Sequence, residues 1–433
     1  MSARPFFSVV IPSKNRADRL RQAVRSVREQ TFQDFELVIC DNSDAAEAVD
    51  SAAVARETND SRVRYIRTNG RLSMPDNWEH AVAAARGEYV GVLTDRSVYH
   101  PHALERAHRE ISTTGVPVVG WFGEHYGRGP TGRDFRRRPC SGRSWHVESR
   151  RLLDYFLTGH PKYGSKRLPK LMSAVCARTV IEEVRSSSLG RICPPVAPDY
   201  TSGYLMLTHT DSVVLVDEAL FISCGSGNGT SFRRRGALAE RFVRDLGMGS
   251  WPDLVDRMPT RACFPSAMVL NDLMRIKERL PERFAHCNID RVQYYLGCLM
   301  DYERSARRGA ELFEDYDELL EGLNRESEEV QTAVRTRSIY VRAAATLPPE
   351  EETPVTADLD ADGGDQAEAA FPEFDSVFEA MTWASSHPRR TRDADAADDP
   401  IMMPALTSVT AAIIKAKSRP VLGPRRSRMA ERR

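Results

Sequence analysis

From Phe6 to about Arg86 the chain alternates between two hydrophobic periods. Phe7 to Ile11, Glu36 to Cys40 and Val63 to Arg67 are short runs with the apolar density of strands, whereas Arg16 to Glu29 and Asp76 to Arg86 read as helices. In the first helix Leu20, Val24 and Val27 share one stripe, while Arg19, Arg21, Arg25 and Arg28 fall elsewhere on the wheel. The stripe is expected to pack on a sheet and the arginines to form a solvated face. Such strand–helix alternation predicts an α/β fold with a mostly parallel sheet flanked by helices. Tyr89 to Leu93 continues it with a strand, Pro101 to Ile111 with a helix, and Val116 to Phe122 with a further strand.

The pattern then loosens. Gly123 to Arg143 is rich in glycine and arginine, has little to bury, and reads as a surface excursion or a flap over a site. Order resumes near Leu152, at Leu171 to Val184 and in a strand around Val213 to Val216, with a turn-rich approach through Pro194-Pro195 to Pro198-Asp199-Tyr200. Beyond Arg235 the spacing is helical: Val269, Leu273, Ile276 and Leu280 form one stripe, and Tyr294 to Tyr302 and Leu312 to Leu323 predict two more helices. Four segments follow: an α/β domain at 1–235, an α-helical appendage at 236–347, an acidic disordered linker at 348–400, and a short helix (Ile401 to Lys417) with a basic tail at 401–433.

Composition sharpens this division. The 61 basic and 61 acidic residues cancel, but Pro348 to Pro388 holds acids and no Lys or Arg, while Lys415 to Arg433 has Glu431 as its only acid. The linker has too little apolar matter to offset chain entropy, and a uniformly basic nucleic-acid binder is excluded. The eight cysteines include no Cys-x-x-Cys pair, so they read as reduced, packed thiols. With neither a signal-peptide pattern nor an apolar run of ~18 residues, a cytoplasmic location is expected.

The candidate chemistry sits at strand ends. Asp95 closes the Tyr89 to Leu93 run, which places it at the sheet's carboxyl edge, where open α/β sheets bind ligands. With Pro12 to Arg16 after the first strand and Asp41-Asn42 after the second, it outlines a site for a nucleotide carrying a diphosphate. Blander roles compete: Asn15 as a helix cap, Asp41 as a strand terminator, Asp199 as an N-cap. His100 and His102 lack a third ligand at metal spacing and read as a helix-start surface. Arg136 to Arg138 and Arg233 to Arg235 read as solvated runs.

Val9-Val10-Ile11-Pro12-Ser13-Lys14-Asn15-Arg16, Gln30 to Ser43, Asn77-Trp78-Glu79 and Gly87-Glu88-Tyr89-Val90 leading to Thr94-Asp95 follow one another in an order and spacing that resembles a family-two glycosyltransferase of GT-A fold. The resemblance covers residues 6 to about 235. It implies a Rossmann-like domain that takes a sugar from a nucleotide-sugar donor, with Pro12, Ser13, Asn15, Arg16, Asp41, Asn77 and Asp95 holding the donor. It also implies an inverting transfer in which Asp199 acts as general base toward a glycan or lipid-linked acceptor, as in cell-surface glycan biosynthesis. The flexible loop that closes over the donor phosphates in related proteins corresponds here to Phe221 to Ser231, where three glycines would let backbone amides approach an anion and would equally suit a plain turn.

The family's acidic Asp-x-Asp cluster is reduced to Asp95-Arg96-Ser97. A Mn²⁺ or Mg²⁺ ion held by Asp95 and Ser97 is one expectation, and Arg96 with the nearby Arg-rich segment neutralising the leaving diphosphate is the other. The lost acids also leave open a catalytically impaired, nucleotide-sugar-binding module that acts through a partner. The basic tail is expected either to hold the protein at the inner face of an anionic membrane or to fold back on the acidic segment.

Overall fold

The protein is described from a computed structural model. It describes residues 4–129, 132–137, 140–157, 167–224, 237–306, 310, 312–346, 376–387 and 403–404. The first half runs β1 (Phe7–Ser13), α1 (Ala17–Arg28), β2 (Phe35–Asp41), α2 (Ala45–Glu57), β3 (Val63–Arg67), α3 (Met74–Ala83), β4 (Tyr89–Val92), β5 (Ser97–Tyr99) and α4 (Ala103–Thr114). It continues through β6 (Val118–Gly129), β7 (Gly132–Arg136), β8 (Ser144–Glu148), α5 (Ser149–Leu157), β9 (Ala174–Ala177), α6 (Arg178–Ser186), α7 (Pro198–Thr208) and β10 (Ser212–Cys224).

The expected α/β sheet is present, and it is mixed. β4, β1, β2 and β3 are parallel neighbours, while β9 joins β4 to β6 by antiparallel pairing on both sides. β10 then runs parallel to β6 and antiparallel to β8. Because side chains alternate along a strand, β1 feeds two cores. Phe7, Val9 and Ile11 pack with Leu20, Val24 and Val27 of α1, and Val10 packs on the other face with Trp78 and Val82 of α3. Both faces are thus sealed, and the polar residues of the strand ends are left at the carboxyl edge. Gly87 allows β4 to start close beside β1: a Cβ there would lie 2.6 Å from the Ser8 nitrogen, and its own N–H donates to Ser8 Oγ at 2.7 Å.

The helical appendage consists of α8 (Ala237–Asp245), α9 (Pro265–Arg279), α10 (Arg291–Ala306), α11 (Phe313–Asn324) and α12 (Glu328–Thr346). It has its own core, built on Phe264, Met268, Tyr294, Tyr295 and Leu319. α13 (Val377–Ser386) and the two-residue β11 (Met403–Pro404), which pairs with β8, complete the described chain.

Four expectations are corrected. Gly123 to Arg143 is not a loop throughout: β6 extends to Gly129 and pairs back with β7, because Tyr126 and Phe135 find a buried apolar face. That face is completed by α13, which lies inside the stretch expected to be disordered. Val377, Phe378, Met381 and Ala384 supply one apolar side of that helix, and they bury against Val98, Tyr126, Phe135 and Ile222. His100 is consequently interior, 3.3 Å from Glu124 Oε2 and 3.3 Å from Ser385 Oγ, and it forms no helix-start surface. Arg137 is not solvated either: its guanidinium lies 3.6 Å from Glu124 Oε1 and donates to the Ala384 carbonyl of α13 at 3.2 Å. Arg138, the Gly225 to Ser231 loop, Arg233 to Arg235, most of Ile401 to Lys417 and the basic tail lie outside the described residues.

Candidate active site

Parallel registration assembles the site. Ser13 stands opposite Asp41 across β1 and β2, and Val10 stands opposite Val92 across β1 and β4, so the loops after all three strands emerge together. Asp95, in the turn after β4, is 3% exposed. Its carboxylate accepts hydrogen bonds from Ser13 Oγ at 3.1 Å and from the Arg16 guanidinium at 3.1 Å. Burying a carboxylate without such donors would cost roughly several kcal/mol. Arg16 keeps 43% of its side chain exposed, so the guanidinium spans from the buried acid to the solvent edge.

On the β2 side a net of hydrogen bonds ties the loops together. Asn15 adopts a φ of 56°, a left-handed conformation that Asn tolerates better than most residues. Its N–H donates to Ser43 Oγ at 2.7 Å, its Nδ2 donates to Asp44 Oδ2 at 2.8 Å, and its Oδ1 accepts from the Asp44 N–H at 2.9 Å. Asn15 therefore joins two loops and does not cap α1, whose N-cap position is Arg16. Asp41 is fully buried and accepts from the Ser43 N–H at 3.0 Å and the Tyr65 hydroxyl at 2.7 Å. Burial together with this bond to Asp41 pushes the Tyr65 phenol well above its usual range. Pro12 is buried inside β1, and Asn77 lies beneath it, donating to the Ser13 carbonyl at 3.5 Å and accepting from the Cys40 thiol at 3.3 Å. Burial, with Asp41 adding to it, pushes that thiol up to about 12.

The opposite side carries charge. Arg96 is half-buried; burial pulls its guanidinium below its usual value, Asp95 pulls it up, Arg16 lowers it and Asp199 raises it. Asp199 is in the first turn of α7, where a carboxylate is favoured by the helix dipole, and the N-cap itself is Ala197. Lys170 Nζ lies 3.5 Å from Asp199 Oδ2 and 3.4 Å from the centre of the Tyr200 ring. Burial draws the Lys170 ammonium down, but Tyr200 and Asp199 outweigh it and the net shift is upward. Ser97 places its hydroxyl 2.7 Å from Thr94 Oγ1.

The loop that presents Asp199 is fastened to the appendage. Val196 has a φ of 86°, left-handed and unusual for a β-branched residue, at a cost on the order of 1–3 kcal/mol. Its side chain is buried in the appendage core, and the next N–H, of Ala197, donates to Asp272 Oδ2 on α9 at 2.8 Å. Burial pushes the Asp272 carboxyl well above the usual range. Lys170, Tyr65, Val196 and Asp272 carry no local sequence signal: Lys170 meets its acid 29 residues away and Asp272 meets Ala197 75 residues away.

The donor set fits a divalent cation poorly. Mg²⁺ and Mn²⁺ take about six oxygen ligands, usually including carboxylates. Here both oxygens of Asp95 already accept hydrogen bonds, Arg96 follows it, and the Ser97 hydroxyl is engaged with Thr94. Among the described residues no group of three His, Cys, Asp or Glu side chains is arranged to hold a metal.

A mixed α/β sheet with polar residues converging at its carboxyl edge defines the class: an α/β domain of the kind that presents its ligand site at the strand ends. Residues 8–167 match the model of glycosyl transferase family 2. CgeD of Bacillus subtilis is 33% identical over 115 residues, covering 24% of this chain and 26% of CgeD. The GalNAc(5)-diNAcBac-PP-undecaprenol beta-1,3-glucosyltransferase of Campylobacter jejuni is 28% identical over 92 residues, covering 21% of this chain and 29% of that enzyme. The chain thus spans little more than a quarter of the length of these relatives. Among solved structures, S. aureus TarS 1-349 in complex with UDP-GlcNAc superposes with a TM-score of 0.44 at 14% identity, over 77% of this chain and 92% of that one.

Proposed function

We propose that the protein is an inverting glycosyltransferase that moves a sugar from a nucleotide-sugar donor to a glycan or lipid-linked acceptor. The observation that carries this reading is the meeting of Ser13 and Arg16 on Asp95 at the carboxyl edge, with Asp199 in the first turn of α7 and 3.5 Å from Lys170 Nζ. Pro12, Ser13, Asn15, Asp41 and Asn77 form the donor floor, Asp41 and Asn15 toward the nucleoside and Arg16 toward the phosphates. Asp199 removes the acceptor hydroxyl proton as that oxygen attacks the anomeric carbon from the face opposite the leaving diphosphate. The acceptor class rests on the family domain and on the undecaprenol-linked substrate in the name of the Campylobacter relative.

Thermal stabilisation by UDP-, GDP- and dTDP-sugars tests the donor half of this reading, because a ligand that binds only the native state raises the melting point by mass action. Slow hydrolysis of the stabilising donor, lost in Asp199→Ala, tests the catalytic half; stabilisation without any turnover would instead favour the impaired binding module. Among the described residues no helix is long and apolar enough to cross a membrane. We propose that the basic Lys415 to Arg433 tail attaches the enzyme peripherally to an anionic inner membrane face. Equal sedimentation with anionic vesicles of the full chain and of a chain lacking that tail would remove this role.

A further inference from the structure

We infer that this site works without a resident divalent cation, and that the guanidinium groups of Arg96 and Arg16 take the leaving diphosphate in its place. The inference rests on the glycosyltransferase reading and adds the identity of the charge that receives the leaving group. Where an acidic cluster would hold an ion and the ion would hold the diphosphate, Asp95 here holds a cation that is part of the chain. Arg16 donates to one of its oxygens at 3.1 Å, Ser13 orients the other at 3.1 Å, and the carboxylate side chain is only 5% exposed. Arg96, next in sequence, lies half-buried in the same turn, between Asp95 and the start of β5, where burial opposes its charge and Asp95 favours it. One guanidinium is thus bonded to the buried carboxylate and a second belongs to the next residue of the same turn, at the edge of the sheet where an anion would enter.

In the transfer, the bond between the anomeric carbon and the β-phosphate oxygen breaks and its electron pair leaves with the nucleoside diphosphate. The acceptor oxygen forms the new bond to that carbon, and its proton passes to Asp199. Arg96 and the exposed part of Arg16 then receive the charge that grows on the departing oxygen. Stabilisation aimed at developing charge lowers the barrier whether the cation is a metal or a side chain. An arginine also offers a planar fork suited to phosphate oxygens, and Asp95 fixes the orientation of Arg16 before the donor arrives.

The test compares binding of UDP, GDP and dTDP, and of the matching monophosphates, by thermal shift and calorimetry, in excess EDTA or with Mn²⁺. The expected result is that the diphosphate that binds does so equally well in EDTA. Arg96→Gln should weaken that diphosphate by about 10- to 100-fold while changing the monophosphate little, as loss of hydrogen bonds to a charged group requires. Arg96→Lys should restore part of the affinity. Arg96→Gln combined with Ser97→Asp should bring back binding only when Mn²⁺ is added. Should Arg96→Gln fail to fold, the EDTA comparison on the unaltered protein still decides. Diphosphate binding that vanishes in EDTA and returns with Mn²⁺ overturns this inference and leaves the glycosyltransferase reading standing. Failure of all three nucleotides to bind under either condition overturns both.

Discussion

The two sides of the carboxyl edge are built differently. On the β2 and β3 side, neutral groups and amides satisfy the acids and amides of the loops: Asp41 is held by Ser43 and Tyr65, and Asn42 donates to the Leu72 carbonyl at 2.8 Å and accepts from the Leu72 N–H at 2.9 Å. On the β4 and α7 side the contacts are ionic, Arg16 with Asp95 and Lys170 with Asp199, with Arg96 coupled to both acids. Neutral hydrogen bonds are short-ranged and directional, so the first side is a shape that exists before a ligand enters. Opposed charges are responsive, so the second side is the one that a charged ligand would perturb most, and the proposed function puts the diphosphate and the moving proton there.

That contrast can be broken by substitution, the largest effect first. Asp95→Ala leaves Arg16 and Ser13 without their shared acceptor and should abolish stabilisation by the donor; unaltered nucleotide-sugar affinity in this variant would sink the placement of the whole site. Asp199→Asn should lower kcat by about 10²- to 10⁴-fold, the usual span for losing a general base, while donor binding measured by calorimetry stays intact. Asp272→Ala removes the acceptor for the Ala197 N–H, worth about 1–3 kcal/mol when left unpaired. It should reduce kcat with little change in donor KM, and Asp272→Asn should recover most of the loss; equal kcat in all three proteins would show that the appendage does not position Asp199.

The smaller effects sharpen the comparison. Tyr65→Phe should cost about 1 kcal/mol of stability in urea melts and shift donor affinity by less than about tenfold, since Asp41 keeps the Ser43 N–H. Lys170 has a raised folded value, so its contribution is complete below its unfolded value of about 10.4 and is lost as pH rises through the folded one. Melting temperatures of the unaltered protein should therefore fall in that alkaline range by more than those of Lys170→Met, and identical alkaline limbs would remove Lys170 from the account of stability.

Much of the neutral side was legible along the chain. β1 and β2 are buried throughout and end in Ser13 and Asp41, so strand, edge and site residues could be read together from one local pattern. α2 was not, because Ala45–Glu57 mixes alanine with scattered charges and shows no clear stripe. α13 was hidden by its acidic surroundings: its apolar side has meaning only against Tyr126, Phe135 and Ile222, which come from distant strands. The presence of Arg96 and Ser97 in place of acids was visible, as was the choice between a metal and arginines that it opens; that the donors meeting Asp95 are Ser13 and Arg16, from a different loop, was not.

The sequence by itself determined the alternating strands and helices of the first half, the strand-end acids Asp41 and Asp95, and the acid at the start of α7, because period, burial and helix-start chemistry act between near neighbours. Only the tertiary structure decided that Tyr65 closes over Asp41, that Lys170 faces Asp199, that Arg16 reaches Asp95, and that Asp272 anchors the loop before α7. Those are pairings across loops and layers, and a linear pattern does not encode which of many compatible charges and hydroxyls will be brought within hydrogen-bond distance when the layers close.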